Sequence, residues 1–442
     1  MLPKVEAGFG LGTEEVKRRH ILVKALAVGI VAGLLASAFR VVLQFAEHQR
    51  MAWQLGLSRP LALVFALGLG ALGGGLGVWL VRRFSPEAAG SGIPHLKAVV
   101  LGERTLEWRR LLPVKFLAGF AGIGGGLALG REGPTIQMGG ATGLMVSEWF
   151  RVKPGEGERK ALIAAGAGAG LAAAFNAPLA GVMFVLEELQ GNFTPVVLVA
   201  AFLASVSADV VGRVLTGEMP VFPLHAMAAP GLNALPLALL LGAGCGLGGV
   251  IFNRSLLKSM DLFDRLRHWP PFAVGALAGV VVGLASWLIP GSAGSGGMIA
   301  ERALAGGYAL RWLPVLLLVR FALTMVSYGS GAAGGIFAPL LVIGALGGLS
   351  LGSVAHLATP GWVPHPEVFA VIGMGALLTA IVRAPLTGIV LMIELTGTYD
   401  YMLPLLVACL TAYGVAEGLR DTPIYEALRE RAKRGVAAAP PH

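Results

Sequence analysis

The chain has 442 residues, of which 55% are hydrophobic and 13% are charged, and its formal net charge is +9. Soluble domains contain about 25% charged residues, so this composition excludes an ordinary soluble protein. The positive charge does not indicate nucleic-acid binding, because the basic residues lie in short loops and near the chain ends. Apolar runs of about 20 residues, the length that crosses a bilayer, recur at 21–39, 61–81, 232–252 and 271–289. The composition predicts an all-α polytopic membrane protein.

The first 20 residues are polar and basic and lead into the first apolar run. They do not resemble a cleavable signal peptide, so we expect that run to stay as an anchor. Basic residues also follow the last apolar run, from Arg429 to Arg434. Because basic segments favour the cytoplasmic side, both termini are predicted to be cytoplasmic.

Three Gly- and Pro-containing motifs lie beside or inside apolar runs. They are Gly90-Ser91-Gly92-Ile93-Pro94, Gly130-Arg131-Glu132-Gly133-Pro134 and Gly335-Ile336-Phe337-Ala338-Pro339. A Gly-rich turn with Pro at the first helical position leaves several N–H groups of the new helix unpaired. These donors, with the positive end of the helix dipole, attract an anion. We therefore expect the motifs to begin helices inside the bilayer and to hold an anion there.

Glu132 is an ionisable residue between apolar segments. Such residues are rare at membrane depth and are usually functional. One interpretation is a structural acid that the helix dipole stabilises. The other is a protonatable gate, in which the carboxylate competes with the anion and leaves its site when it is protonated.

The sequence repeats itself weakly. Ala89-Gly90-Ser91-Gly92 recurs as Ala293-Gly294-Ser295-Gly296, and Ala177-Pro178-Leu179 recurs as Ala384-Pro385-Leu386, at offsets of 204 and 207 residues. Paired halves with broken helices are typical of transporters whose site lies near the bilayer midplane. The predicted organisation is a cytoplasmic segment 1–20, a first transmembrane repeat 21–215, a connector 216–231, a second and inverted repeat 232–418, and a cytoplasmic helix and tail 419–442.

The motifs occur in the order of a known family. GSGIP, GREGP, AAFNAPLAGVMFVLEE, GIFAP and a late tyrosine, Tyr425, extend over nearly the whole chain. In these motifs the chain resembles the CLC family of chloride channels and chloride–proton antiporters, of the prokaryotic type without C-terminal CBS domains. The resemblance implies a homodimer in the lipid bilayer of a bacterial inner membrane, with one complete pathway per subunit. It also implies no cofactor, only chloride and protons as transported ions.

The resemblance implies an anion site of four residues. The hydroxyls of Ser91 and Tyr425 and the backbone amides of Ile336 and Phe337 would bind chloride. From the residues alone, Ser91 is equally a helix N-cap and Tyr425 an interfacial aromatic.

The resemblance assigns the proton route to two glutamates. Glu132 would be the gate and outer proton carrier, and Glu188 the inner proton-transfer residue. From the residues alone, Glu187 and Glu188 are also typical of solvated acids at a helix end. Arg131 and Glu394 are expected to be structural.

The chain departs from the family after GSGIP, where His95 stands at a position that is usually Glu, and Lys97 follows. Histidine titrates near neutral pH. These residues are expected to make the inner mouth of the pathway more positive.

The expected function is exchange of chloride for protons, with a passive chloride channel as the alternative. Glu188 favours the exchanger, because channels of the family usually carry an apolar residue there. The chain has no H-E-x-x-H sequence, P-loop or serine–base pair, so an enzyme is not expected. Cys245 and Cys409 lie far apart in apolar segments and predict neither a disulfide nor a metal site.

Overall fold

A computed structural model of the chain describes residues 11–154, 157–191, 194–222 and 230–437. These ranges contain helices and no strand. Residues 1–10 of the predicted cytoplasmic segment, 223–229 of the connector and 438–442 of the tail lie outside them. The helices are α1 (Leu11–Gly56), α2 (Arg59–Phe84), α3 (Ile93–Val100), α4 (Trp108–Gly124), α5 (Glu132–Trp149), α6 (Gly157–Phe175), α7 (Pro178–Phe184), α8 (Pro195–Thr216), α9 (Leu235–Asp264), α10 (Pro271–Leu288), α11 (Gly297–Leu304), α12 (Leu313–Gly329), α13 (Phe337–Ala358), α14 (Glu367–Val382), α15 (Pro385–Thr396), α16 (Met402–Gly418) and α17 (Ile424–Ala437).

Seven helices of the described ranges are long and apolar enough to cross a bilayer: α1 from Ile21 onward, α2, α8, α9, α10, α12 and α13. The predicted runs 21–39 and 61–81 lie inside α1 and α2, and the runs 232–252 and 271–289 begin at α9 and α10. The all-helical membrane architecture is therefore confirmed.

Glycine pairs allow the innermost helices to touch. Gly139 of α5 and Gly166 of α6 lie so close that a Cβ on either would overlap the carbonyl oxygen of the other. Gly344 of α13 and Gly373 of α14 pack in the same way. Close backbone approach provides van der Waals contact where lipid offers no hydrophobic driving force. These contacts hold α5 and α13, which both begin at a predicted motif, in the interior.

The motifs begin helices as predicted, but the proline is not the first helical residue. Helix α3 begins at Ile93, one residue before Pro94. Helices α5 and α13 begin two residues before Pro134 and Pro339. The expectation was wrong in this detail, because every N–H of the first turn lacks an intrahelical partner. Proline is accordingly tolerated anywhere in that turn.

Candidate functional site

The three motifs meet at the centre of the molecule through their backbones. Gly130 and Gly335 exchange two hydrogen bonds, each N–H donating to the other's carbonyl at 2.7 Å. Gly90 donates to the carbonyl of Ala332 at 3.1 Å and accepts from the N–H of Gly334 at 3.0 Å. The starts of α3, α5 and α13 are thereby brought to one place.

The lack of a side chain at Gly133 permits this meeting. A Cβ added there would lie 2.8 Å from Cβ of Ser91 and 2.9 Å from Cα of Gly335. Gly133 of the second motif thus contacts the first and the third motif at once. Only glycine fits between them.

Ser91 is 1% exposed and lies just before α3. Its Oγ accepts a hydrogen bond from the N–H of Ile93 at 3.4 Å, and its own N–H donates to the hydroxyl of Tyr328 at 3.5 Å. Accepting a bond leaves the serine hydroxyl proton available for donation. The N-cap of α3 is Gly92, so the N-cap interpretation of Ser91 was wrong, and the hydroxyl proton of Ser91 is free to bind a ligand.

A buried lysine holds the turn before α3. Lys115 of α4 is fully buried and donates to the carbonyls of Ala88 and Gly90 at 2.9 and 2.7 Å. Sequence reasoning missed this role, although a single lysine in an apolar helix is itself a signal of function. Its ammonium also adds positive charge beneath Ser91.

The start of α13 presents backbone rather than side chains. Ile336 precedes the helix and Phe337 is its first residue, and both are buried. The Phe337 ring packs against the rings of Phe175 and Phe184, with centroids 6.2 and 6.1 Å away. Amides at a helix start have no intrahelical acceptor, so they are free to bind an anion.

Tyr425, the second residue of α17, is fully buried. Its hydroxyl has no hydrogen-bond partner within the described part of the chain. Buried hydroxyls are nearly always bonded. The phenol lies near enough to Tyr328, which contacts Ser91, and to Glu188 and Glu132 to interact with them electrostatically. The group therefore fits a donor to a ligand at the meeting of the motifs.

Glu132 is the first residue of α5 and is 2% exposed. Its Oε1 lies 3.8 Å from Nε of Arg131, and its Oε2 has no hydrogen-bond partner among the described residues. A Cβ added to Gly130 would overlap that oxygen and lie 3.0 Å from the amide nitrogen of Ala338. The carboxylate thus lies beside the start of α13, where an anion is expected.

A cavity of about 390 Å³, which we name the Glu132 cavity, opens at this carboxylate. Its lining includes Arg40, Glu47, Arg131 and Glu301 besides Glu132. Two guanidinium groups therefore line the approach to the carboxylate.

Glu188 lies in the π-helical turn Val185–Gln190 that continues α7, and it is 6% exposed. Nζ of Lys97 lies 2.9 Å from its Oε1. The structure thus places Glu188 in a buried ion pair that sequence reasoning did not find. Lys97 had been noted only as a source of positive charge.

Glu187 has its own protein partners and is not a solvated acid. Its carboxylate accepts hydrogen bonds from the N–H groups of Leu386 and Thr387, at 3.0 and 2.7 Å, where α15 begins. Glu394 accepts two N–H groups at the start of α7, also at 3.0 and 2.7 Å. Each acid caps a helix of the other half, in agreement with the structural role expected for Glu394.

His95 is packed inside the protein and does not open to the mouth of the pathway. Its ring is 10% exposed, and its Nε2 lies 3.2 Å from the carbonyl of Thr105 and 3.8 Å from Glu87. Its Nδ1 lies 3.4 Å from Nε2 of Gln137. The ring thus packs against α5 and the loop after α3, where both of its nitrogens have neighbours.

Residues 73–417 match a family model described as voltage gated chloride channel. The H(+)/Cl(-) exchange transporters ClcA of Vibrio parahaemolyticus and Vibrio cholerae are 42% and 43% identical over 93% of this chain and 89% of theirs. The structure of a slow cyanobacterial Cl-/H+ antiporter superposes with a TM-score of 0.88 at 38% identity, covering 93% of this chain and 97% of that one. A CLC-type fluoride/proton antiporter shares the fold, with a TM-score of 0.76 at 22% identity over 90% and 96%.

Proposed function

Because the chain belongs to the CLC family of voltage gated chloride channels, we propose that it exchanges chloride for protons across a membrane. The observation that carries this proposal is the meeting of three helix starts beside one buried carboxylate, that of Glu132. The names of its relatives as exchange transporters support antiport rather than passive flow.

In this proposal, chloride binds where α3, α13 and α17 begin. The donors are the hydroxyls of Ser91 and Tyr425 and the amides of Ile336 and Phe337. All four are electrically neutral, so they replace the hydration of the ion without holding it as tightly as a cation would. The partnerless, buried Tyr425 hydroxyl supports this assignment.

Glu132 is the proposed gate. When it is charged, its carboxylate competes with chloride for the helix starts. When a proton binds to one carboxylate oxygen, the neutral group loses that attraction and leaves the place to chloride. The same residue thereby carries the proton, so the movements of the two ions are linked.

Glu188 is the proposed inner proton carrier. Its carboxylate lies near Tyr425, on the side of the pathway covered by α17, whereas Glu132 opens on its own cavity. Glu188 and Glu132 both interact with the buried Tyr425, which supports a proton path through the interior between them.

The location and assembly follow from the family and from charge. We propose a bacterial inner membrane protein with both termini and α17 in the cytoplasm, since α17 is rich in arginine and lysine. The functional unit is proposed to be a homodimer in lipid, with one pathway in each subunit. Exchange needs no cofactor, because the chain itself supplies every proton carrier.

The test is proton movement in sealed proteoliposomes under a chloride gradient, with no imposed pH gradient. We expect protons to move uphill, and Glu188→Gln to abolish this while chloride flux persists. Glu132→Gln is expected to remove proton coupling as well. Glu301→Gln, which changes an exposed carboxylate of the same cavity, is the matched control and should leave coupling intact.

Chloride flux without proton movement in the unmodified protein would instead establish the alternative, a passive channel of the same fold. Proton transport that survives Glu188→Gln would contradict the inner proton role of that residue.

A further inference from the structure

One lysine lies between two carboxylates on the α17 side of the site. Nζ of Lys97 is 2.9 Å from Oε1 of Glu188 and 3.8 Å from Oε2 of Glu426. Lys97 lies in α3, Glu188 follows α7, and Glu426 is in the first turn of α17. We propose that Lys97 is a counterion shared by these two acids, which moves from Glu188 toward Glu426 whenever Glu188 takes up a proton.

The two acidic partners of Lys97 differ in their burial and in the number of cations that pair with them. The side chain of Glu188 is 6% exposed and that of Glu426 is 26% exposed. In the described residues Lys97 is the only cation paired with Glu188, whereas Glu426 also pairs with Arg429. A buried charge that loses its partner is costly. Lys97 therefore belongs with Glu188 while that carboxylate is charged.

Glu426 connects the lysine to a network that reaches the protein surface. Arg429 pairs with Glu426 and, at 2.8 Å, with Glu103, which also accepts a bond from Lys433 at 2.7 Å. Lys433 is 47% exposed. The alternating charges run from the buried Glu188 to the exposed Lys433.

The same first turn of α17 carries Tyr425, the residue directly before Glu426. A lysine that shifts toward Glu426 pulls on the helix start that holds the tyrosine hydroxyl in the anion site. The shared counterion thus provides a physical link between the proton on Glu188 and the inner end of the chloride site.

The other ionisable groups near Lys97 do not serve as alternative partners for its ammonium group. Glu187 is engaged by the start of α15, and His95 faces Thr105 and Glu87. Tyr425 is a neutral phenol at physiological pH. The exchange of partners therefore involves Lys97, Glu188 and Glu426 alone.

The step conserves atoms and charge. A proton from cytoplasmic water binds to a carboxylate oxygen of Glu188, and Lys97 keeps its own proton as an ammonium. Neutral Glu188 no longer attracts the ammonium, and the remaining anion in contact is Glu426. This inference rests on the proposed role of Glu188 in proton transport.

The test measures proton-coupled chloride flux in proteoliposomes as the pH is varied equally on both sides. Lys97→Met leaves the Glu188 carboxylate unpaired, so it binds a proton more readily. We expect the pH of half-maximal proton transport to rise by about one unit. Glu426→Gln leaves Lys97 to Glu188 alone and is expected to move that pH in the opposite direction. Lys97→Arg should stay close to the unmodified protein, and Lys433→Met, which removes a lysine at the far end of the network, is the matched control.

Opposite shifts show that Lys97 and Glu426 both act on the proton of Glu188 through their charges, whereas a merely structural role would move both variants the same way or neither. Should Lys97→Met fail to fold, the Glu426→Gln shift and the Lys97→Arg rescue still decide the question. If Glu188→Gln abolishes proton flux but neither Lys97→Met nor Glu426→Gln shifts the pH, this inference is wrong and the proposed function stands. If Glu188→Gln leaves proton flux intact, both fail together.

Discussion

Two helix starts of this protein have the same backbone conformation and differ in the groups that bind to them. Helices α3 and α11 each have eight residues and each follow a glycine in the left-handed region, with φ of 78° at Gly92 and 84° at Gly296. Before α11, the Glu47 carboxylate accepts bonds from the N–H and Oγ of Ser295 at 2.6 and 3.0 Å. Before α3, the N–H of Ser91 donates to the neutral hydroxyl of Tyr328, its one partner among the described residues.

The turns that carry the two serines are held alike. As Lys115 binds the carbonyls of residues 88 and 90, Arg320 donates to the carbonyls of residues 292 and 294, at 2.8 and 2.9 Å. Both cations are fully buried. The offset of 204 residues is the one seen in the sequence, so the repeat extends to a buried cation under each turn.

The difference teaches which part of this arrangement is selective. A left-handed glycine, a serine and a buried cation beneath them make an attractive place for an anion. In the second half the chain fills that place with its own carboxylate. In the first half no carboxylate side chain of the described residues bonds to Ser91, in agreement with a site proposed for a transported anion.

The largest expected effect comes from removing the two buried cations. Lys115→Met leaves the carbonyl of Ala88 without a donor, while that of Gly90 keeps the N–H of Gly334. Arg320→Met leaves three carbonyls without donors, counting that of Ser295 at 3.0 Å. At about 1–3 kcal/mol for each orphaned group, the free energy of unfolding should fall by roughly 1–3 kcal/mol in the lysine variant and by roughly 3–9 kcal/mol in the arginine variant. Denaturant unfolding in detergent measures this.

Lys433→Met, a change on the exposed end of α17, is the control and should cost less than about 0.5 kcal/mol. Loss of stability in one variant only would mean that the two turns are not held in the same way. Only Lys115→Met is also expected to weaken chloride binding, since its turn alone carries the proposed site.

The next largest effect is expected from removing the Glu47 carboxylate, which occupies the start of α11. Glu47→Ala removes two bonds to a charged acceptor, each worth about 1.5–3 kcal/mol, so the free energy of unfolding should fall by about 3–6 kcal/mol. The variant also leaves the serine before α11 without a bound carboxylate, like the serine before α3. We expect a bromide ion to bind at Ser295 in this variant and to be visible by anomalous diffraction.

Glu301→Ala, in the same cavity, is the matched control and should acquire no bromide at Ser295. Absence of bromide from Glu47→Ala would show that the backbone and buried cation alone do not make an anion site.

The two serines should respond differently to truncation. Ser91→Ala removes a proposed donor to chloride, worth about 1.5–3 kcal/mol for a bond to an ion, so the Kd for chloride should rise roughly 10- to 100-fold. Ser295→Ala removes a hydroxyl that binds Glu47 and should leave that Kd unchanged. Isothermal titration of both purified variants with chloride decides the comparison, and equal Kd values would contradict it.

Sequence reasoning found the helices and the motifs because both are local patterns. Apolar runs and Gly–Pro turns reflect the bilayer and the first helical turn, so the starts of α3, α5 and α13 were located within two residues. The proposed roles of Ser91, Ile336, Phe337, Tyr425, Glu132 and Glu188 are still predictions.

Contacts between distant segments were beyond the sequence. Glu47 and Ser295 are 248 residues apart, and Lys97 and Glu188 are 91 apart. Nothing local in α1 distinguishes Glu47 from a solvated acid. Because the partner of Lys97 is likewise distant in sequence, Lys97 was expected only to add positive charge at the mouth of the pathway. His95, which stands where the family usually has Glu, was expected to make the mouth of the pathway more positive, and its packed ring does not support that expectation.

The smallest expected effect concerns α17, which carries Tyr425 back to the first-half helix start. Glu103 accepts bonds from Lys433 and Arg429 of α17, and chiefly the Lys433 bond holds the pKa of this carboxyl below its ordinary value of 4.5. Because the pKa is lower in the folded state, the stabilisation is present above pH 4.5 and is lost as the pH falls through the folded value. Glu103→Gln should therefore be slightly less stable than the unmodified protein near pH 7, and the difference should vanish in acid. Equal thermal stability at neutral pH would mean that the buried Ile424 and Leu428 hold α17 by packing alone, and that charge contributes nothing to placing the tyrosine.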